Sequence, residues 1–321
     1  MAFTIQPATA VQLGKWDSLV RDFEGGTLFQ EHAFLNYHGD RFRDKELFFV
    51  VLKGEAILGL LAGTINKEAE KVKLVSPYGG SFGGPIFRSR LVLKDAIEIM
   101  DLYRDLFRKN GITDMIFTLP PAIYSANTDL LEYCLLRNGY TISKADVFNI
   151  VPIRDTPGEV QEAYEGRVRT TLRKEKELYI IQKDADIAAF YEILLIDKKE
   201  KNTLPTHSLA DLLYLKNTFP DRIRVDLARH KETGAQFTVC YFRVNREGWM
   251  TFYIAQDRKE LRLNGVTVLI DDFLCGMAGK YKFLDFGGST FGYEITNPGI
   301  ANFKESFGAI SQLRKTFITY G

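Results

Sequence analysis

Residues 283–290 read Phe-Leu-Asp-Phe-Gly-Gly-Ser-Thr, and residues 303–308 read Phe-Lys-Glu-Ser-Phe-Gly. The first run predicts a strand that carries one acid, Asp285, and ends in two glycines followed by two hydroxyl side chains. Glycines let another group approach the backbone closely. This strand end therefore predicts a place where a ligand meets a carboxylate and hydroxyl groups at the open end of a sheet.

Two parts of the chain repeat the same order of predicted elements. Each has three consecutive strands, an amphipathic helix and a short buried strand. In the first part these elements are predicted at 46–52, 56–65, 71–75, 91–110 and 114–119, and in the second at 222–229, 235–243, 248–254, 265–280 and 282–286. Since each helix joins two strands as a crossover, the pairing is locally parallel within an otherwise antiparallel sheet.

The predicted fold class is α/β (α+β), with two similar lobes in tandem. Each lobe has a mixed, mostly antiparallel sheet flanked by helices. A chain of 321 residues is long enough for two domains. The prolines at 152 and 157 predict domains 1–155 and 156–321, with a helical connector at the start of the second. Its helices are predicted at 158–176, 187–199 and 208–218, the last with Ser208 as N-cap.

The composition is that of a globular protein, with 45% apolar and 26% charged residues, which excludes disorder. Lys and Arg number 42 against 41 Asp and Glu, so the net charge of +1 argues against a dedicated nucleic-acid binder. The three cysteines lack the spacing of a zinc site or a disulfide framework, so we expect no metal and a reducing, cytoplasmic location. Neither a signal peptide nor a membrane-spanning segment is predicted.

The loop that precedes the helix predicted at residue 265 has the charges of an anion site. Residues 257–266 read Asp-Arg-Lys-Glu-Leu-Arg-Leu-Asn-Gly-Val. A helix that begins at Gly265 points backbone N–H groups and the positive end of its dipole toward this loop. Arg258, Lys259 and Arg262 add positive charge. The alternative is a solvated loop whose glycine only eases the start of the helix.

The run from Asp285 to Gly308 resembles the carboxyl-terminal signature of one branch of the GNAT acyltransferases. This double-lobed branch includes the Fem-type (FemABX) aminoacyl transferases, in which an Asp-Phe-Gly strand end precedes a Phe-Lys-x-x-Phe-Gly box. Residues 303–308 match that box in full. The resemblance covers nearly the whole chain, and it implies two tandem GNAT-like lobes, the second of which binds the acyl donor.

A second, partial match concerns the loop before residue 265. Arg262-Leu-Asn-Gly265 is similar to the start of the Arg/Gln-x-x-Gly-x-Gly/Ala element with which GNAT enzymes hold the pyrophosphate of acyl-CoA. The third small residue is replaced by Thr267. The resemblance implies Arg262, Asn264 and Gly265 as donor-binding residues and places Lys304 near the donor's phosphates. The alternative for Lys304 is a solvated position in a packing motif.

Three residues are candidates for the catalytic step. His207 follows Pro-Thr in a polar loop, where an imidazole can take a proton from an attacking amine near neutral pH. Asp285 at the strand end and Tyr253 on the third strand of the second lobe are the others. The alternatives are a surface or capping role for the histidine and strand packing for the tyrosine.

The acceptor side is predicted from a glycine-rich run. Residues 76–85 read Ser-Pro-Tyr-Gly-Gly-Ser-Phe-Gly-Gly-Pro, a loop that permits close approach. In the family that the chain resembles, the first lobe no longer binds the donor, and this loop faces the acceptor. The resemblance therefore implies Tyr78 and Ser81 as substrate-binding residues, and we add Ser289 and Thr290 from the strand end. The alternative is a turn that only links two elements.

The sequence favours an acyltransferase that moves an acyl group from acyl-CoA to an amine of a small-molecule, lipid-linked or other cell-envelope acceptor. A first alternative is a FemX-like transferase that uses aminoacyl-tRNA and acts on a peptidoglycan precursor. The Lys304 box and the basic stretch at 167–176 favour it, although Glu175 and Glu177 dilute that charge. A second alternative is a catalytically silent module that binds a sugar or a peptide.

Overall fold

The computed structural model describes residues 2–68, 71–256, 262–293 and 295–320. The chain divides into two compact units, and neither is continuous in sequence. The first unit comprises Met1–Val147, Thr290–Ile295 and Gln312–Gly321, and the second comprises Phe148–Ser289 and Thr296–Ser311.

The first unit contains most of the amino-terminal elements. Its strands are β1 (Phe3–Pro7), β2 (Glu46–Lys53), β3 (Ala56–Glu68), β4 (Lys71–Ser76), β5 (Ile86–Phe87), β6 (Asp114–Thr118) and the first half of β7 (Thr141–Pro152). Its helices are α1 (Ala10–Leu13), α2 (Trp16–Asp22), α3 (His32–Leu35), α4 (Leu93–Lys109) and α5 (Thr128–Arg137).

The second unit begins within β7. It contains the strands β8 (Tyr179–Gln182), β9 (Ile223–His230), β10 (Gln236–Arg243), β11 (Gly248–Gln256) and β12 (Phe283–Gly288). Its helices are α6 (Pro157–Glu162), α7 (Gly166–Glu175), α8 (Ile187–Glu200), α9 (Leu209–Thr218), α10 (Gly265–Met277) and α11 (Pro298–Glu305). A small ladder of β13 (Thr290–Phe291) and β14 (Ile295–Thr296) precedes α11, and β15 (Ile310–Thr319) follows it; β13 and most of β15 belong to the first unit.

The sheet of the first unit has the strand order β1-β2-β3-β4-β6-β15. Its neighbours are antiparallel except β4 and β6, which are parallel and are joined through α4. The predicted series of three strands, a helix and a strand is therefore confirmed in this unit. Helix α4 buries one face in the core, with Ala96, Ile99, Tyr103 and Phe107 at most 2% exposed.

The sheet of the second unit has the order β7-β12-β11-β10-β9-β8. Its exception to antiparallel pairing is the pair β11 and β12, and the crossover runs through α10 as predicted. The parallel register joins Gly248–Met250 to Phe283–Asp285. Beyond Met250, β11 continues to Gln256 paired with β10. Over the described residues, β11 thus parts from β12 in mid-strand, which leaves one edge of its second half open.

The single helix predicted at 158–176 is wrong: the chain forms α6 and α7 instead. At the break, Glu165 has an extended backbone (φ −59°, ψ 152°), and its N–H donates to the carbonyl of Ser306 at 2.9 Å. This non-local bond replaces an intrahelical one. The predicted N-cap of α9 is confirmed, because the Ser208 hydroxyl accepts from the backbone N–H of Asp211. Within the described ranges, none of the helices has the length and apolar character of a bilayer span.

Candidate active site

A pocket of about 700 Å³ lies against the open half of β11. Its walls are the end of β11, the first turn of α10, and helices α8 and α11. The apolar part of the lining consists of Ile254, Ala255, Val266, Ile300 and Phe303. The polar part consists of Asp197, Lys201, Gln256, Asn297 and Lys304. An apolar pocket with a few converging polar groups is the usual form of a small-molecule site, and this volume is within the usual range.

Lys304 lies in the wall of the pocket and is 4% exposed. Its Nζ donates to the carbonyl oxygens of Gly287 at 2.8 Å and of Gly288 at 2.7 Å. Helix α11 holds this lysine in place, since Asn297 caps its first turn and Pro298 occupies its first position. The alternative of a solvated Lys304 is therefore wrong, because the side chain is buried and bonded to the strand end.

The end of β12 is shaped to receive this lysine. Gly287 has φ +72°, a conformation that favours glycine, and the register with β7 shifts between Asp285 and Gly288. Asp285 is fully buried, and its carboxylate accepts the N–H of Gly287 at 2.6 Å. The bulge therefore turns two successive carbonyl groups toward Lys304, while Asp285 supports the turn from inside the unit.

Burial sets the charge state of Lys304. It lowers the pKa of the Lys304 ammonium to about 8, and the negative charge of Asp285 partly opposes this shift. A lysine in water titrates near pH 10.4. Near neutral pH, Lys304 therefore carries a proton that it can give up at small cost.

Helix α8 forms another wall of the pocket and contributes an ion pair that no sequence motif indicated. The carboxylate of Asp197 is 2.5 Å from the ammonium of Lys201, one turn further along the helix. Asp197 is only 2% exposed. The signal in the sequence is its spacing, because Asp197 continues the buried stripe of Phe190, Ile193 and Leu194. A carboxylate on the apolar face of a helix indicates a partner or a ligand there.

The start of α10 lies beside the same pocket, through Val266. Asn264 is the N-cap residue, but its side chain does not cap the helix. Its amide instead donates to both oxygens of Glu175 at 3.0 Å, and its backbone N–H donates to the hydroxyl of Tyr179. The first turn of α10 therefore has no side-chain cap from Asn264. Arg262 is exposed next to it, whereas the other basic residues of the predicted loop, Arg258 and Lys259, lie outside the described residues.

His207 and Tyr253, two of the predicted catalytic residues, are brought together. The Nδ1 atom of His207 and the hydroxyl oxygen of Tyr253 are 2.8 Å apart, and His207 is 7% exposed. Burial raises the pKa of the Tyr253 phenol, and hydrogen bonds from the segment at Thr206 and His207 partly offset the rise. The pair lies beneath α8, with the Tyr253 ring 6.1 Å from that of Phe190. The described lining of the pocket includes neither residue, so their catalytic role stays a prediction.

Comparison with known proteins finds solved structures of the same architecture but no similar sequence. No family model and no curated protein matches the sequence. Among solved structures, the crystal structure of FemX covers 99% of this chain and 97% of its own, with a TM-score of 0.70 at 12% identity. A conserved protein of unknown function from Bacteroides thetaiotaomicron VPI-5482 covers 98% of each chain, with a TM-score of 0.59 at 11% identity.

A third structure is the C-terminal domain (DUF2156) of a putative lysylphosphatidylglycerol synthetase from Agrobacterium fabrum. It covers 98% of this chain and 93% of its own, with a TM-score of 0.55 at 12% identity. The chain has the fold of the FemX structure, called the Fem-type fold below. The predicted fold class and resemblance are thus confirmed, and at such low identity this likeness concerns the fold alone.

Within this Fem-type fold, the two predicted hydroxyl residues of the strand end belong to different units. The Ser289 hydroxyl donates to the side-chain oxygen of Asn149 at 2.5 Å in the second unit. The Thr290 hydroxyl accepts the N–H of Val147 at 2.9 Å in the first. Both hydroxyls have structural partners, so their role in substrate binding stays a prediction.

The predicted acceptor residues Tyr78 and Ser81 lie in the first unit of the Fem-type fold. The Tyr78 hydroxyl donates to the carboxylate of Glu46 at 2.9 Å, and burial raises the pKa of this phenol well above its usual range. The carbonyl of Ser81 accepts from Arg314 at 3.0 Å. The glycine-rich run thus forms an ordered loop held by side chains, and its contact with an acceptor stays a prediction.

Gly265 is a sensitive position of the Fem-type fold. A Cβ atom at this glycine would meet the ring of the fully buried Phe237 at 2.2 Å. We expect Gly265→Ala to lower the free energy of unfolding by about 1–3 kcal/mol, because the core must shift to accept a methyl group. Urea unfolding checks this expectation. Gly158→Ala is the matched control, since nothing lies within 4 Å of a Cβ there; an equal loss in both variants would contradict the argument.

Proposed function

We propose that this chain is an acyltransferase that moves an acyl group from acyl-CoA to an amine. The observation that carries the proposal is the pocket of about 700 Å³ on the open half of β11, with Lys304 in its wall. The likeness to FemX and to the lysylphosphatidylglycerol synthetase domain supports it at the level of the fold.

The residues present fit an acyl-CoA donor. A pantetheine chain is largely apolar and carries amide groups, and it needs an apolar groove with free backbone groups. Ile254 and Phe303 supply apolar surface, and beyond Met250 the edge of β11 is not paired with β12 within the described chain. Backbone groups on that edge would bind the amides as an added strand does. The donor's thioester is then held at the end of the strand.

The donor's phosphates would bind at the start of α10. Its first-turn N–H groups receive no cap from the Asn264 side chain, and the exposed guanidinium of Arg262 lies beside them. A helix N-terminus and an arginine together form a common phosphate site. Thr267 stands in place of the usual third small residue, and the backbone N–H groups of the turn are still present.

The chain would contribute positioning and proton transfer to the reaction. Holding a thioester and an amine in contact converts a bimolecular step into an intramolecular one, which is worth several orders of magnitude in rate. Asp197, in the same pocket, is a buried carboxylate paired with Lys201 that can accept a hydrogen bond from the acceptor amine. We propose a small-molecule, lipid-linked or other cell-envelope amine as the acceptor class.

A second candidate donor is aminoacyl-tRNA. The TM-score of 0.70 with FemX and the Phe-Lys-x-x-Phe-Gly box favour it. The basic stretch on α7 favours it less, because two of its three arginines bond to backbone carbonyls of the fold. Arg167 donates to the carbonyl of Asn302 at 2.7 Å, and Arg169 donates to the carbonyl of Tyr164 at 2.5 Å. These contacts hold the two guanidinium groups against the fold and use N–H groups that a polyanion would otherwise bind.

Isothermal titration with CoA and acetyl-CoA at low salt tests the donor. We expect micromolar binding that becomes roughly tenfold weaker in Arg262→Gln, the cost of one charge-assisted hydrogen bond. Arg90→Gln, an exposed arginine of the first unit, is the matched control and should bind CoA as the wild type does. No binding of CoA, together with ribonuclease-sensitive binding of charged tRNA, would favour the second candidate. Binding of neither would favour a silent module.

A further inference from the structure

The hydrogen bonds of Lys304 constrain what its nitrogen can do. Nζ is tetrahedral, with one position taken by Cε. Two more positions are taken by the bonds to the carbonyl oxygens of Gly287 and Gly288, at 2.8 and 2.7 Å. Since a carbonyl oxygen can only accept, both bonds use N–H groups of the lysine. One position of the tetrahedron is left, and Lys304 lines the pocket.

The same two bonds suit both charge states. A neutral lysine amine has two N–H groups and one lone pair. Its two donors are satisfied by Gly287 and Gly288, so that the lone pair occupies the remaining position. In the ammonium form the same position carries the third N–H. The side chain can therefore accept and return a proton on the side of the pocket without breaking either bond to the strand end.

We propose that Lys304 is the proton carrier of the transfer step, acting first as general base and then as general acid. This proposal rests on the proposed acyl transfer and assigns Lys304 a role other than binding the donor's phosphates. A buried amine is neutral in a larger fraction of molecules near neutral pH than a surface lysine, since water does not stabilise its charged form, and it is therefore more available to take a proton.

Every bond and proton in the proposed step is accounted for. A neutral acceptor amine attacks the carbonyl carbon of the thioester, and a C–N bond forms while the C–S bond breaks. The proton that leaves the attacking nitrogen goes to the lone pair of Lys304. The Lys304 ammonium then gives this proton to the sulfur of the leaving thiolate, so that the lysine returns to its neutral form.

The surroundings of Lys304 support a labile proton. Its pKa of about 8 puts roughly one molecule in ten in the neutral form at pH 7. The negative charge of Asp285, on β12, keeps the pKa of Lys304 from falling further. The other charged residues of the described pocket lining are Asp197 and Lys201 of α8, which are paired with each other at 2.5 Å. Their charges offset one another, so Asp285 and burial dominate.

A titration of Lys304 by NMR tests the first half of the proposal without any substrate. The full chain is labelled with lysine carrying ¹³C at Cε, and the Lys304 signal is assigned by its loss in Lys304→Arg. We expect a midpoint near pH 8. A midpoint above pH 10, the value of a lysine in water, would overturn the proposal whatever the chain's activity.

Lys304→Arg tests the second half, because arginine is a permanent cation that cannot act as a base. The assay is thiol release from acetyl-CoA with D-glucosamine as the probe amine, followed from pH 6 to pH 10. We expect turnover to fall 10²-fold or more and the wild-type rise toward pH 8 to disappear, while CoA affinity changes less than about threefold. Lys280→Arg, an exposed lysine of the second unit, is the control and should leave both unchanged.

These outcomes distinguish a failure of the role proposed for Lys304 from a failure of the proposed acyl-CoA donor. Full turnover in Lys304→Arg would overturn the proposal and make the lysine a fixed cation. A large loss of CoA affinity with unchanged turnover at saturation would do the same and assign it to phosphate binding. Absence of CoA binding in the wild-type chain would contradict the proposed acyl-CoA donor, whereas the NMR midpoint would still decide whether Lys304 carries a labile proton into the pocket.

Discussion

Replacing Phe307 by alanine should lower the free energy of unfolding by about 3–5 kcal/mol, the usual cost of deleting a buried aromatic ring. Phe307 is fully buried. Its ring centroid lies 5.3 Å from that of Tyr164, 5.8 Å from that of Phe286 and 5.3 Å from that of Phe303. These contacts join Phe307 to Phe303 of α11, to Phe286 of β12 and to Tyr164 between α6 and α7, so the loss should fall on the surroundings of the helix that carries Lys304.

Urea unfolding followed by tryptophan fluorescence measures this effect, with a two-transition fit if the two units unfold separately. Phe291→Ala is the matched control, because that ring is 66% exposed and should cost less than about 0.5 kcal/mol. Phe307→Leu should recover part of the loss by refilling the cavity. A loss below 1 kcal/mol in Phe307→Ala would show that the aromatic pair of the box is not a packing element.

The second large effect is on the pH dependence of stability. Because the pKa of Lys304 is lowered to about 8 in the folded chain, the unfolded chain binds more protons between pH 8 and about pH 10.4. The contribution of Lys304 to the free energy of unfolding therefore increases as the pH rises through this window. A shift of about two pKa units corresponds to roughly 3 kcal/mol.

The comparison of wild type with Lys304→Met isolates this contribution. At pH 7 the wild type bears the full cost of the buried charge, and at pH 10.5 it bears almost none. We expect the stability difference between the two proteins to move in favour of the wild type by about 3 kcal/mol over that range. Other titrating groups, including the buried tyrosines, cancel in the difference. Lys280→Met serves as control, and a difference that stays flat with pH would contradict the lowered pKa.

Much of the fold follows from local sequence signals. Hairpins with a glycine turn, the period of α4 and the Ser208 cap each depend on residues close together in the chain, and the structure contains all of them. The wrong prediction of one helix at 158–176 has a non-local cause, because the break between α6 and α7 depends on a bond from Glu165 to Ser306. The contact of the Asn264 side chain with Glu175 at the start of α10 likewise joins residues far apart in the chain. No window of neighbouring residues contains either pair.

The site was predictable in part. The box at 303–308 and the glycines at 287 and 288 were singled out from the sequence, and the structure brings Lys304 to these glycines and into the lining of the pocket. Its burial could not be predicted, since lysines are rarely buried and the bulge that supplies its two acceptors forms only when β12 pairs with β7. Asp197 was not singled out: its helix was predicted at 187–199, but the position of Asp197 on the buried stripe of that helix was not used.

The order in which the chain is synthesised has a consequence for the first unit. Strand β15 pairs with β6 in that unit, with Thr316 opposite Thr118 and Phe317 opposite Phe117. Nearly 200 residues separate these partners, so the ribosome must complete the whole second unit before the first can obtain this strand. Until then, β6 exposes an unpaired edge next to a finished hydrophobic face. The nascent amino-terminal half therefore keeps this edge unpaired until β15 has been synthesised, and such an exposed edge favours aggregation of the incomplete chain.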